Sequence, residues 1–314
     1  MDVLERIFPQ GCVLGDPITT GGLGMVPIII SGGGHRVRMP AIDLLDDALE
    51  QNDVQVSEVS DKGDVPFLFL DNGSLNHVLV LNGMELIGGK QNRICNTDII
   101  APRGRKIRIP VSCVERRRWH YNQPHFTTSG ALFRSSSRSL LNRSVSNTVR
   151  FRNQFLSNQH AVWSQVDRSL EEFSTKSRTA DFQAVRENVK SRVDAIVNGL
   201  QPVRSQIGAI FVLEDGDILG AEILGSTELF AKSIAKIVKG FALDAINAKE
   251  IKTVDNASVL KWWEKLLASP IQKHRSVGPG TDIRIDLKDI TAAGLTFNCN
   301  LIHLAAFPIA NPAL

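Results

Sequence analysis

The sequence predicts an α+β protein, with a β-rich N-terminal part and a C-terminal part that mixes a hairpin, helices and terminal strands. Three observations carry this expectation. Short runs alternate apolar and polar residues up to about residue 121, as half-buried strands do. Beyond Phe151 the apolar spacing moves to intervals near 3.6. Two strand-like runs, 207–213 and 218–224, flank Glu214-Asp215-Gly216-Asp217, and an Asp-Gly pair suits a tight hairpin turn.

In chain order, glycines cluster at Gly21, Gly22 and Gly24, ahead of the apolar run Met25 to Ile30, and again at Gly32 to Gly34. A dinucleotide loop follows a strand and opens a helix, whereas these glycines bracket a strand, so turns are expected. Residues 41–50 have room for only a short helix. Val54 to Val59, Phe67 to Leu70 and His77 to Leu81 read as strands, the latter two separated by Asp71-Asn72-Gly73. Ile94 to Ile100 and Lys106 to Val114 follow, joined by a turn at Pro102-Arg103-Gly104.

Residues 122–150 are rich in Ser and Arg with no dense apolar pattern, which predicts a basic, mobile loop between parts 1–121 and 151–314. The two parts are expected to pack as one globular unit. A helical stripe runs through Phe151, Phe155, Val162, Val166, Leu170 and Phe173. A second helix spans about Asp181 to Asn198, stopped by Gly199. Ser226 or Thr227 caps a third, striped by Leu229, Phe230, Ile234, Ile237, Val238 and Phe241. A short helix around Trp262 and Trp263 reaches Ala268, and strands follow at 283–287, 295–299 and 301–307.

The chain of 314 residues is 43% hydrophobic, enough for a large core. No apolar run approaches the ~20 residues of a membrane helix, and the start lacks a secretory pattern, so a cytoplasmic protein that does not enter membranes is expected. Cys12, Cys95, Cys113 and Cys299 are widely spaced with no C-x-x-C pair, which points to neither a zinc site nor a disulfide framework. The net charge of +3 is unevenly spread, since residues 100–152 hold twelve Lys and Arg against the single acid Glu115.

Two polar clusters stand out at the ends of the strand-like runs. One holds Glu85, Lys90, Gln91, Asn92 and Arg93; the other holds Cys113, Glu115, Arg118, Trp119 and His120. If strands 94–100 and 106–114 pair as a hairpin, both clusters fall at the same end. Three readings follow. A cleft for a phosphate-bearing small molecule would use Arg93 and Arg118 on phosphate, Lys90, Gln91 and Asn92 as further ligand contacts, Trp119 for stacking, and Glu85 or Glu115 as general base. His303, alone in an apolar strand, is a further catalytic candidate, set against the commoner role of a satisfied core histidine. A nucleic-acid or protein partner would instead be gripped by the basic segment, through Arg134, Arg138 and Arg143. The third reading makes the clusters a buried Glu–Arg tie that needs no ligand. A buried, inert thiol is expected for Cys113.

Four stretches carry a family resemblance: Gly88-Gly-Lys-Gln-Asn-Arg93, Ile109-Pro-Val-Ser-Cys-Val-Glu-Arg-Arg-Arg-Trp119, Gly220 to Ala245, and Leu301-Ile-His-Leu-Ala-Ala-Phe307. Over about residues 75–307 the chain resembles the bacterial domain family named for its association with ADP-ribosylglycohydrolases and rhodanese-phosphatases. The resemblance implies a link to NAD or ADP-ribose metabolism and names no reaction or cofactor; with it, the first reading becomes the binding and processing of a nucleotide or ADP-ribose-type small molecule, Gln91 and Asn92 meeting its base or ribose.

Overall fold

The computed structural model describes residues 2–31, 41–213, 216–251 and 253–309. The expected turns at Gly32 to Gly34, and Glu214 and Asp215 of the hairpin turn, lie outside the described residues.

The first half is almost all β: β1 (Cys12–Leu14), β2 (Ile18–Thr20), β3 (Leu23–Ile30), β4 (Ile42–Leu44), the short α1 (Leu45–Glu50), β5 (Val54–Glu58), β6 (Phe67–Asn72), β7 (His77–Val80), β8 (Met84–Gly89), β9 (Arg93–Cys95), β10 (Ile99–Ala101), β11 (Arg105–Cys113) and β12 (Gln123–Leu132). Three helices follow, α2 (Ser135–Arg152), α3 (Gln159–Glu172) and α4 (Gln183–Gly199). Then come β13 (Gln206–Val212), β14 (Ile218–Leu224), α5 (Thr227–Ala245), α6 (Asn256–Leu267), β15 (Gln272–Arg275), β16 (Thr281–Asp286), β17 (Ile290–Phe297) and β18 (Asn300–Pro308). The α+β expectation holds.

Six strands close a barrel in the order β11-β6-β5-β12-β8-β9, which leaves no free edge. A larger sheet runs β1-β3-β13-β14-β18-β17-β16-β15, with β2 also on β3. Because β3 pairs with β13, the N-terminal strands are built into the C-terminal sheet, and a division of the chain near residue 121 does not follow the structure. Strand alternation sends Ala209 and Phe211 into the main core and Ile210 and Val212 into a second core against α6. On the main-core side α5 lays Phe241 against Phe211, ring centroids 4.1 Å apart. Its start is capped as the sequence suggests, Ser226 accepting the Leu229 N–H at 3.2 Å.

The expected mobile loop at 122–150 is a correction. Those residues form β12 and most of α2. Leu141, Val145 and Val149, at helical spacing, are buried in the main core, and alongside them α2 also buries Arg138, Asn142 and Ser146. Asp244 on α5 caps this helix from a distance: it accepts the Ser136 N–H at 3.0 Å and both the Ser135 and Ser136 hydroxyls, in place of a capping side chain at Arg134. The helical stripe expected from Phe151 is also divided. Asn153 takes a left-handed conformation that ends α2, and Phe151 is exposed. Trypsin is therefore expected to spare residues 134–152 in the native protein, because cleavage there requires opening a packed helix. Early cutting at Arg138 would contradict this packing.

Candidate functional site

Three connections meet at one end of the barrel: β5 to β6, β8 to β9, and β11 to β12. The inferred pairing of β9 with β11 accounts for two of them. Cys113 lies opposite Arg93 and Val111 opposite Cys95, so the start of β9 and the end of β11 share that end. The two sequence clusters are thereby brought together at the barrel mouth, while β10 departs to pair with β7.

Gly88 and Gly89 shape the turn. Gly89 has φ +49°, and a Cβ there would run into the Phe126 ring and come within 2.8 Å of Glu58 Oε1. Only glycine fits both the backbone and the space.

Beneath the turn, Arg118 is fully engaged by the protein. Its Nε donates to both Glu115 oxygens at 2.9 Å, Nη1 donates to the carbonyls of Gly89 at 2.7 Å and His120 at 3.0 Å, and Nη2 donates to the Gly88 carbonyl and Asn92 Oδ1, each at 3.3 Å. Glu115 also accepts the Asn92 N–H at 3.2 Å. Asn92 Nδ2 lies 3.1 Å from each oxygen of Asp181, which precedes α4. Burial pushes the Asp181 carboxyl up, with Glu115 adding to the rise against the Gln183 N–H, to about 6.

Arg93 differs. It is wholly buried, and its Nη1 donates to the Gln91 carbonyl at 3.1 Å and to Gln91 Oε1 at 3.2 Å. Its Nη2 stands 3.7 Å from Glu58 Oε1, and neither Nη2 nor Nε has a hydrogen-bond acceptor. Glu58 sits on the inward face of β5 with Val54 and Val56. Its Oε1 accepts the Lys90 N–H at 2.9 Å, and its Oε2 has no donor. Over this pair lie the half-exposed Trp119, 5.9 Å from the Arg93 guanidinium, and Lys90, whose ammonium is 5.7 Å from the Trp119 ring and 5.1 Å from the Tyr121 ring. The Lys90 ammonium also donates to the Asp61 carbonyl. Beside them opens a cleft of about 440 Å³ lined by Ser57, Glu58, Asp61, Tyr121, Asn122 and Gln123.

The expected roles therefore divide. Lys90 and Trp119 sit at the mouth. Gln91, Asn92, Glu115 and Arg118 form the frame beneath it, so an Arg93–Arg118 fork on phosphate is corrected: the Arg118 donors are all taken. Glu115 as general base is corrected too, since both oxygens are chelated. Glu85 lies elsewhere, held by Arg186 at 2.5–2.8 Å and by Ser129 at 3.0 Å. His303 is in the large sheet with 0% exposure, Nδ1 2.8 Å from Asp98 and Nε2 2.7 Å from Glu222, and it reaches no cleft. Of the cations expected to grip nucleic acid, Arg134 is paired with Asp244 and Glu172 and Arg138 with Glu222, which leaves Arg143 exposed. Cys113 is buried, and burial pushes its thiol up to about 11.

Sequence reasoning missed Glu58, Asp61 and Tyr121. A signal existed for Glu58, because the alternation Val54, Val56, Glu58 puts a charge on an apolar face. Among the described residues no group of three His, Cys, Asp or Glu is arranged to hold a metal ion. No helix among them is long and apolar enough to cross a membrane.

No curated protein and no solved structure matches the chain. One family model does, over residues 11–307, and it takes in the barrel, the large sheet and all of the mouth. The chain belongs to the ARPP-1 family, the ARG and Rhodanese-Phosphatase-superfamily-associated Protein domain.

Proposed function

We propose that the barrel mouth binds a nucleotide or ADP-ribose-type small molecule. The observation that carries this reading is the composition of the mouth: a cleft lined by Glu58, Asp61, Tyr121, Asn122 and Gln123, with the Lys90 ammonium and the half-exposed Trp119 ring beside it. Flat apolar walls with a few placed polar groups are what small-molecule sites are made of, and barrel mouths are common places for them. Trp119 or Tyr121 supplies a stacking face, and Lys90 a point charge for a phosphate. Asn122, Gln123 and Asp61 offer partners for sugar hydroxyls. The family name, with its ADP-ribose association, agrees with a ligand of this class.

Calorimetric titration with ADP-ribose, ADP and AMP tests the reading. Loss of one base-stacking ring is worth about 1–3 kcal/mol, so Trp119→Ala is expected to weaken binding by roughly five- to a hundredfold. Lys90→Ala is expected to weaken the phosphate-bearing ligands more than the free nucleoside. Both side chains lie at the mouth, so melting temperatures should barely move. Absence of heat with every nucleotide would reject the reading.

A further inference from the structure

Resting on that reading, we infer that the ligand enters base first, and that the buried Glu58–Arg93 pair reads a neutral donor–acceptor edge such as the amino edge of adenine. The pair is unusual in being incomplete on both sides. Glu58 Oε2 accepts nothing, and Arg93 Nε and Nη2 donate to nothing, although the two side chains are 2% and 0% exposed. Buried charged groups are ordinarily satisfied, so unmet capacity on a side chain that lines a cleft, and on the partner directly behind it, marks a place where a ligand group fits. Glu58 itself lines the cleft.

The chemistry of that partner follows from the charges. One carboxylate and one guanidinium sum to zero, so a phosphate placed here gains from Arg93 what it loses to Glu58. A neutral group with an N–H beside an acceptor nitrogen or oxygen meets both unmet needs: it donates to Glu58 Oε2 and accepts from Arg93. A nucleobase edge has that pattern and is flat, as the Trp119 and Tyr121 rings beside it require. The Lys90 ammonium stands 5.7 Å from the Trp119 ring and 5.1 Å from the Tyr121 ring, and would meet a phosphate trailing from the sugar.

The test edits the ligand and the protein separately, with calorimetry on the full chain. Adenosine should bind, and purine riboside, which lacks only the exocyclic amine, should bind at least tenfold more weakly. Ribose 5-phosphate and pyrophosphate should bind more weakly than adenosine. Glu58→Gln keeps an oxygen for the Lys90 N–H but replaces the free acceptor by a donor. It should remove the preference for adenosine over purine riboside. Equal affinity for the two nucleosides, tight binding of ribose 5-phosphate or pyrophosphate, or an undiminished preference in a Glu58→Gln variant that circular dichroism shows to be folded would each overturn the base-first inference. If ADP-ribose binds but removal of the amine changes nothing, this inference fails and the cleft reading stands. If no probe binds, both fail.

Discussion

Arg118→Ala is expected to cost about 3–5 kcal/mol of stability, because it leaves the Glu115 carboxylate buried without its counter-charge. The loss is larger than one ion pair suggests. The same guanidinium holds the carbonyls of Gly88, Gly89 and His120, so its removal frees the β8–β9 turn and the approach to β12 together. A fall in Tm of roughly 5–8 °C is the expected reading in a thermal melt of a chain of this length. Lys90→Ala, one residue from Gly89 but at the surface, should shift Tm little, since exposed cations contribute under about 1 kcal/mol. A double-mutant cycle sharpens the comparison: Glu115→Gln in the Arg118→Ala background should restore part of the loss, because the stranded charge is then gone. If Arg118→Ala melts like the parent, the frame beneath the mouth is not what holds it.

That frame is where the sequence was most informative. The β9–β11 pairing could be inferred because a Pro-Arg-Gly turn separates two apolar runs of strand length, and antiparallel pairing then forces Arg93 and Cys113 to one end. What could not be read was which charges face inward. Glu115 and Arg118 are three residues apart and find each other locally, but Glu58 reaches Arg93 only because β5 and β6 close the barrel. Barrel closure depends on β12 pairing with both β5 and β8, contacts between residues tens of positions apart that leave no local mark.

The Ser- and Arg-rich segment shows the same limit. Its composition belongs to solvated loops, yet Ser135, Arg138, Asn142 and Ser146 are buried. The polarity of Ser135 and Arg138 is answered by Asp244 and Glu222, more than eighty residues away. The helical signal was present in Leu141, Val145 and Val149. It is outweighed by the polar residues around them, of which Ser135 and Arg138 find their partners on α5 and β14.

The same buried chain makes the second large prediction, a stability that falls as pH rises above neutrality. His303 bridges Asp98 and Glu222, and Arg138 pairs with the other Glu222 oxygen, all at 1% exposure or less. Burial alone would push the imidazole down, but the two carboxylates carry it up from 6.5 to about 9. Because the folded value is the higher, the stabilisation is fully present below the unfolded value of 6.5 and is lost as pH rises through about 9. Each unit is worth about 1.4 kcal/mol, so the loss across this window approaches about 3 kcal/mol. Asp181, also raised when folded, gives a slope of the same sign, but between its ordinary 3.8 and about 6, clear of the histidine window. Urea unfolding at intervals from pH 6 to 10 should therefore show a decline centred in the His303 range. His303→Gln should be less stable than the parent at pH 6 and should flatten that decline. A parent protein whose stability is level from pH 6.5 to 9.5 would mean that His303 is neutral between its two carboxylates, and that the buried chain carries net negative charge.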